Sequence, residues 1–205
     1  MTAAPTTRAG SPPEQGGEPS HRARLLDALG ASIEERGYRA TTVADIVRMA
    51  RTSRRTFYQE FATKEACFIE LLQTANTDMI GDIVAAVDPD SPWRSQIRQA
   101  IEAYVRSIEA RPALTLSWIR ELPALGPAAR PVQRRAMEDF IQTLIALTDT
   151  DHMHAAGIST ISRSLALLML GGLRELTAVA VEDGQPVSDT TETMVDACVA
   201  LLLPR

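Results

Sequence analysis

Two short amphipathic helix patterns separated by a tight break constrain the fold of this chain more than any other feature of its sequence. The first pattern follows Thr42, a good capping residue, and has apolar side chains at the spacing i, i+3, i+4, i+7: Val43, Ile46, Val47 and Ala50. After a break at residues 51–53, the second pattern puts Phe57 and Phe61 on one face and polar side chains on the other. A short helix, a tight turn and a helix with an aromatic inner face are typical of a helix-turn-helix.

Flanking signals extend these two helices into a small head domain. Ser20 is placed to cap an earlier helix, which ends at Gly37 because glycine takes a left-handed conformation easily. Thr63 is placed to begin the next, longer helix. We therefore predict a three-helix, homeodomain-like head over residues 20–65, preceded by a disordered arm, residues 1–19, that is rich in Pro, Gly, Ser and Thr.

The remaining residues, 66–205, are predicted to form a helical body. Hydrophobic residues make up 45% of the chain and aromatic residues only 4%, so burial relies on aliphatic side chains, which suit packed helices better than sheets. Proline and glycine divide the body into six predicted helices, near residues 65–86, 92–110, 113–122, 128–148, 157–182 and 187–203. The predicted fold class is all-α, a helix-turn-helix head followed by a six-helix bundle.

Charge is distributed unevenly between the two parts. Residues 22–65 carry nine Arg/Lys against six Asp/Glu, a net charge of +3, whereas residues 66–205 carry eleven against eighteen, a net charge of −7. Attraction to phosphate is local and decays within about 10 Å at ordinary salt, so the overall charge of −5 does not argue against nucleic-acid binding. The pattern favours a nucleic-acid-binding head on a body that does not bind nucleic acid.

Several other classes of protein are disfavoured. No Ser/His/Asp set, phosphate loop or zinc motif is found, so we do not expect an enzyme, a metal site or a cofactor. His152 and His154 have no cysteine nearby, which makes a metal site between them unlike ordinary ligand patterns. Cys67 and Cys198 are expected to be small buried hydrophobes; a redox sensor would instead require an exposed thiol of low pKa.

Membrane and export signals are also missing from the sequence. There is no uninterrupted apolar run of 18 residues, and the first 20 residues lack the apolar stretch of a signal peptide. We therefore expect a cytoplasmic protein that does not contact a membrane.

The head contains a series of residues whose order and spacing match a known family. They are Gly37-Tyr38, Thr41-Thr42-Val43, Asp45-Ile46, Ser53, Thr56-Phe57-Tyr58, Phe61 and Thr63-Lys64-Glu65. This segment resembles the DNA-binding head of the tetracycline-repressor (TetR) family. The resemblance implies that the third helix enters the major groove, that the body, residues 66–205, binds a small-molecule effector, and that the last two long helices form a homodimer.

A dimer would present two recognition helices to a palindromic double-stranded DNA operator. The function implied is that of a repressor released by its effector. The alternatives are a transcriptional activator, or a ligand-independent DNA-binding scaffold, built on the same head.

Specific roles follow for the residues of the second and third helices. Arg55 and Gln59 point away from the aromatic face and suit bidentate contacts to guanine and adenine edges, so they are expected to read sequence. Thr56 and Tyr58 flank them. Thr42 and Tyr58 match family positions that hold phosphates, although Tyr58 could instead cover the edge of the core.

Further contacts to the DNA backbone are expected from the basic residues nearby. Lys64, the only lysine of the chain, matches a position that the family uses as a clamp on the DNA backbone. Arg51 and Arg54 are expected to contact phosphates, and Ser53 is placed to cap the recognition helix. Isolated arginines on a helix are ordinarily solvated charges, but their density here favours the functional interpretation.

Two residues depart from the family pattern. Arg51 stands in the turn where glycine is frequent, and a positive φ at this position would cost about 1 kcal/mol. Glu60 stands where histidine is frequent, and a carboxylate near phosphate is repulsive unless it accepts from a cytosine amino group or pairs with an arginine.

The resemblance also assigns residues of the body. Five lie on helices that line the effector cavity in the family, although aromatic or Met side chains at helical spacing more often belong to the plain core: Tyr104, Trp118, Met137, Phe140 and Leu144. The glycine pair inside an apolar helix suggests close helix approach, in a dimer or within the chain. The residues expected at the dimer interface are Leu168, Gly171, Gly172, Val195 and Val199.

Overall fold

The computed structural model describes residues 19–203, and this range contains helices and no β-strand. The α-helices are α1 His21–Arg36, α2 Val43–Met49, α3 Arg54–Glu60, α4 Lys64–Ala86, α5 Trp93–Ala110, α6 Pro112–Leu116, α7 Arg130–Thr148, α8 Asp151–Ala155, α9 Arg163–Glu182 and α10 Thr191–Leu202. The predicted all-α class is confirmed. Except for residue 19, the predicted disordered arm lies outside the described residues.

The first four helices begin where the sequence predicts, because each has a side-chain cap. The hydroxyl oxygens of Ser20, Thr42, Ser53 and Thr63 accept hydrogen bonds from the backbone amides three residues further along. At Thr42 the Asp45 carboxylate also accepts from the Thr42 amide, which completes a capping box. Local chemistry therefore defines the helix-turn-helix.

Two hydrophobic cores organise the chain. The first joins α1–α4 around fully buried Phe57 and Phe68, and it also takes in Leu114 and Leu122 from the segment after α5. The second joins the helices of the body around residues such as Ile141 and Met194. Because residues of the α6 region belong to the first core, the head is packed directly on part of the body.

The two cysteines lie inside these cores, as predicted. Cys67 is in the first core and Cys198 in the second, and both are free thiols. Burial raises the pKa of Cys67 to about 12 and that of Cys198 to about 11. These are the properties of inert structural cysteines and the opposite of what a thiolate sensor requires.

Three helix boundaries in the body differ from the prediction. The helix expected from residue 157 begins only at Arg163, because Gly157 takes a positive φ of 80° and Ser162 provides the cap. A separate short helix, α8, precedes it. The helix expected at 113–122 continues from α6 as a π-helical segment, Ser117–Glu121, and then as a 3-10 segment, Leu122–Ala128. The last helix is shortened by a 3-10 turn, Val187–Thr190.

Helix α9 is unusually apolar. Among the described residues it is the one helix long and apolar enough to cross a membrane by length and composition alone. A helix that packs on two sides in a helical bundle has the same properties. Arg174 and Glu175 lie near the middle of this helix.

Candidate nucleic-acid interface and effector cavity

Helix α3 separates a buried aromatic face from an exposed polar face. Phe57 is fully buried and Phe61 caps the helix with 3% exposure, as expected for core residues. Arg54, Arg55 and Gln59 are exposed on the opposite side. These are the side chains that the sequence assigns to DNA.

Tyr58 also lies on the exposed side. It is 57% exposed, and its ring makes an edge contact with Phe57 at 5.4 Å between centroids. This placement leaves the hydroxyl in solvent and disfavours the alternative that Tyr58 covers the edge of the core.

The three arginines around the turn differ in their ionic partners from four of the five other arginines of the head; the fifth, Arg24, also forms no ion pair within the described residues. Arg22, Arg36, Arg39 and Arg48 each have a carboxylate within 4.0 Å. Within residues 19–203, the three basic residues Arg51, Arg54 and Arg55 form no ion pair. Their charges are therefore available to an external anion such as a phosphate.

The turn between α2 and α3 contains a strained residue. Arg51 has a φ of 50°, the positive value that its position in the family pattern suggested. The turn is closed by hydrogen bonds from the Arg51 amide to the Arg48 carbonyl, 3.3 Å, and from the Thr52 amide to the Val47 carbonyl, 2.9 Å. An L-residue in this conformation costs about 1 kcal/mol, which the packing of the two flanking helices offsets.

Glu60, the second departure from the family, is paired inside the protein. Its carboxylate lies 3.4 Å from the Arg22 guanidinium, which also donates to the Glu60 backbone carbonyl at 2.8 Å. Arg22 in turn pairs with Glu70 and lies over the Phe61 ring at 4.4 Å. This pairing reduces the repulsion between Glu60 and DNA. Arg22 was not identified from the sequence, because its partners lie 38 and 48 residues away.

Lys64 is held against the loop between α1 and α2. Its Nζ donates to the carbonyls of Tyr38, at 3.1 Å, and Thr41, at 2.8 Å, and it lies 4.2 Å from the centre of the Tyr38 ring. An ammonium group has three donors, so one is left for a DNA phosphate. The same residue therefore also positions the loop that leads to Thr42.

The capping hydroxyls of the two DNA-facing helices are already occupied. Thr42 Oγ1 donates to the Asp45 carboxylate at 2.6 Å while accepting from the Asp45 amide. Ser53 Oγ and Thr56 Oγ1 lie 2.9 Å apart and share a hydrogen bond. A phosphate contact by Thr42 would have to compete with its capping box, so this assignment is weaker than those of the arginines.

A partly open cavity of about 100 Å³ lies in the body between α4, α5, the α6 region, α7 and α9. Four of the five predicted ligand residues line it: Tyr104, Trp118, Met137 and Phe140. Leu144 does not. It lines a second cavity of about 60 Å³ beside Met153 and Cys198, because it lies one turn beyond Phe140 toward the far end of α7.

A few polar groups interrupt the apolar wall of the larger cavity. They are Asn76, Thr115, Tyr104 and Arg174. Tyr104 Oη and Thr177 Oγ1 lie 3.0 Å apart, and burial raises the pKa of Tyr104. Arg174 donates to the Ile119 carbonyl at 3.2 Å. A mostly apolar cavity with a few polar groups is typical of a small-molecule site.

The wall of this cavity is bonded directly to the head. The Glu34 carboxylate of α1 accepts hydrogen bonds from the amides of Ala113, at 3.2 Å, and Leu114, at 2.9 Å, and so caps α6 from outside. Arg39 pairs with Glu121 at 2.9 Å. Sequence reasoning identified neither link, since each joins residues about eighty positions apart.

Part of the predicted dimer interface is exposed in the single chain. Leu168 is 62% exposed, and a Cβ added at Gly171 or Gly172 would meet nothing within 4 Å. Within residues 19–203 nothing packs on the glycine pair, which contradicts the alternative of a close contact within this part of the chain. The prediction that Val195 and Val199 lie at the dimer interface is wrong. They are 5% and 9% exposed and pack in the core of the body, because the face of α10 that carries the valines points inward.

In the part of the chain that the structure describes, no group of three or more His, Cys, Asp or Glu side chains could hold a metal ion. His152 and His154 lie on α8, and the His154 ring instead lies 3.0 Å from Thr160 Oγ1. His21 is the first residue of α1.

Known proteins resemble both the head and the complete fold. Residues 25–71 match the family model described as "Bacterial regulatory proteins, tetR family". The uncharacterized HTH-type transcriptional regulator YhgD of Bacillus subtilis is 24% identical over 146 residues, which is 71% of this chain and 76% of that protein.

Two further proteins bear on regulation. The HTH-type transcriptional activator FasR of Mycolicibacterium smegmatis is 28% identical over 88 residues, 43% of this chain and 40% of that protein. The structure of the regulator FadR from Bacillus subtilis in complex with stearoyl-CoA superposes with a TM-score of 0.72 at 17% identity, covering 87% of this chain and 96% of that one. The helix-turn-helix head therefore matches that of the TetR family, and along most of its length the chain is similar to an HTH-type transcriptional regulator.

Proposed function

We propose that the protein is a homodimeric repressor that binds a palindromic operator and is released by a small-molecule effector. The observation that carries the proposal is the exposed face of α3, where Arg54, Arg55 and Gln59 project without ionic partners among the described residues. Arg55 and Gln59 read base edges, while Arg51, Arg54, Tyr58 and Lys64 hold phosphates. A cytoplasmic location is part of the proposal, because the protein must be in the same compartment as the operator DNA that it binds.

The dimer rests on the outer surface of α9. Leu167, Leu168, Leu176 and Val179 are between 37% and 62% exposed, and the bare Gly171-Gly172 pair lies between them. An apolar strip with small residues at its centre allows two helices to approach closely around a two-fold axis. On α10 the exposed Leu201 replaces Val195 and Val199 as the expected contact.

Release by an effector follows from the links between the cavity and the head. Leu114, Thr115, Trp118 and Ile119 line the cavity on the same segment that Glu34 caps. An effector that favours a different position of this segment would move α1 and change the separation of the two α3 helices. Only the difference in its affinity for the two states weakens operator binding.

Activation is the second candidate, because FasR, a relative, is named an activator. Transcription from a promoter that carries the selected operator, measured with and without the protein, separates the two. Less transcript with the protein indicates a repressor and more transcript an activator.

The test of the proposed function is a selection of bound DNA from a random library, followed by binding titrations of single variants. We expect the selected DNA to contain a palindromic site, and we expect one or two dimers to bind each site. Replacing Arg55 or Gln59 by Ala should cost about 1–3 kcal/mol and relax preference at one position of each half-site. Arg106→Ala, which changes an exposed arginine of the body, is the matched control. Unchanged preference in both head variants would contradict the assignment.

A further inference from the structure

Arg174 is the one charged side chain among the thirteen residues that line the larger cavity. It lies half-buried on the apolar helix α9, one turn after Leu170, which also lines the cavity. Its guanidinium donates to the Ile119 carbonyl and has no carboxylate within 4.0 Å among residues 19–203. The formal charge of the cavity wall is therefore +1, although the body as a whole is acidic.

Other donors face the same space. The Asn76 side chain is 8% exposed and makes no hydrogen bond within the described range. Tyr104 adds no free donor, because its hydroxyl donates to Thr177 Oγ1, whose own proton is donated to the Leu173 carbonyl. A guanidinium has five N–H donors and an amide two, so donors outnumber acceptors on this wall.

This composition favours an anionic ligand. A half-buried guanidinium has lost part of its hydration, and an anion bound beside it offsets part of that loss. Carboxylates form the strongest hydrogen bonds with guanidinium groups, since two parallel N–H···O bonds can form. No residue lining the cavity supplies a carboxylate.

We propose that the effector is a small organic carboxylate whose anionic group binds Arg174 and Asn76, with its apolar part beside Trp118, Met137 and Phe140. The inference rests on the proposed function and names the effector class of that site. The cavity of about 100 Å³ is smaller than the 150 Å³ or so that holds benzene, so a ring or a short chain enters with a small movement of the lining. Met79 and Met137 are flexible enough to allow it.

A second source of the anion would lie outside the cavity. Arg134, Arg135 and Arg163 line an open groove that shares Met137 with the cavity. A larger ligand could hold a phosphate there while its apolar tail enters the cavity. Arg163 is already paired with Glu138 at 2.8 Å, which weakens this alternative.

The experiment uses the fluorescence of Trp118 in the full-length protein. Trp93, the other tryptophan, does not line the cavity and is replaced by Phe. The protein is titrated with benzoate, with its neutral isostere benzamide and with benzylammonium. We expect benzoate to bind about tenfold more tightly than benzamide, and benzylammonium to bind least, because the donors of the site remain unpaired with the wrong ligand.

Two variants locate the anion. Arg174→Met should remove the preference for benzoate, whereas Arg135→Met, the matched control in the outer groove, should retain it. Arg174→Gln keeps hydrogen-bond donors but removes the charge. It replaces Arg174→Met in the experiment if circular dichroism shows that the methionine variant does not fold.

Four results would overturn the proposal. The first is equal affinity for benzoate and benzamide. The second is a preference for benzoate that survives Arg174→Met, and the third is a preference that disappears with Arg135→Met. The fourth is the absence of any response to benzoate, phenylacetate or hexanoate up to about 10 mM, a concentration high enough to detect a Kd above 1 mM. No DNA is present in these titrations, so their failure is distinct from a failure of operator binding.

Discussion

Arg51 combines a strained backbone with a charge that has no ionic partner in the described chain. Its φ of 50° is unfavourable for an L-residue, and its side chain is exposed beside the recognition helix. Glycine would take the same conformation without a steric cost. Stability and DNA binding therefore favour different residues at this position.

Replacing Arg51 by Gly should separate these two effects. We expect the free energy of unfolding to rise by roughly 0.5–1 kcal/mol as the strain is removed. Operator affinity should fall, and the slope of log K against log salt should decrease by about one if Arg51 contacts a phosphate. Urea titrations and binding at three salt concentrations measure the two quantities. A variant that is less stable than the original would contradict the role given to strain.

Asp45 is held in its charged form by the capping box. The hydroxyl and amide of Thr42, aided by Arg48 and Arg36, lower the pKa of the Asp45 carboxyl to about 2. An unfolded aspartate titrates near 3.9, so the folded state favours the ionised carboxylate. The resulting stabilisation is present above about pH 4 and is lost as the pH falls toward 2.

Asp45→Asn should therefore be less stable than the original protein at pH 6 and similar to it near pH 2. Thermal midpoints measured across this range give the difference, and the change isolates Asp45 from the other carboxylates. Asp27→Asn, in the middle of α1, is the control. A difference between the two proteins that does not depend on pH would rule out the capping-box charge as its cause.

The N-terminal end of α6 is bonded to the side of α1. Gly30 of α1 lies beside this contact, and a Cβ there would lie 2.7 Å from Arg111 Nη2, the flexible end of that side chain. Glu34 supplies the acceptors for the first free amides of α6, which has no side-chain cap of its own.

Glu34→Ala should loosen α6. We expect amide hydrogen exchange at Ala113 and Leu114 to accelerate by about tenfold, since a hydrogen bond to a charged group contributes on the order of 1.4 kcal/mol. Hydrogen–deuterium exchange with peptide-level mass spectrometry reads this directly. Glu35→Ala is the matched control, because Glu35 pairs with Arg36 of its own helix. Equal exchange in the two variants would show that Glu34 does not hold α6.

The helices that could be predicted are those whose ends are set by neighbouring residues. Ser20, Thr42, Ser53 and Thr63 are caps that act over three positions, and the two aromatic residues of α3 follow a simple period. The π-helical segment after α6 was not predictable, since apolar periodicity does not distinguish a π-helix from the end of an α-helix.

The parts of the candidate site that were missed depend on distant partners. Glu34 acts on residues about eighty positions away, and Arg22 joins three helices. Arg174 had a visible signal, an arginine within an apolar helix, but only the packing shows that it faces a cavity. Val195 and Val199 were assigned to the wrong side because periodicity identifies a common face and not its partner.

Among the described residues, the outer face of α9 is an apolar surface that nothing covers. The exposed leucines of α9 form a strip around a glycine pair, and isolated chains rarely keep such a surface in water. The proposed homodimer covers it and also sets the distance between the two heads. Assembly and DNA recognition should therefore fail together.

Leu168→Glu tests this surface. A buried unpaired carboxylate in both subunits should weaken the dimer by about 100-fold or more, so sedimentation should show monomers at micromolar concentration. Val84→Glu, on α4 and 50% exposed, is the matched control and should leave the assembly unchanged. If Leu168→Glu kept the original sedimentation coefficient, the dimer interface would have to lie on another surface.

Lys64 gives the head one side-chain amine that a chemical reagent can label. The sequence contains no other lysine, so an acylating reagent has one side-chain amine to modify. That amine lies beneath the loop that precedes α2, where its hydrogen bonds to two carbonyls slow its reaction. The rate of acylation at this one atom would therefore report on the opening of the loop, and on its closure against an operator, without any engineered residue.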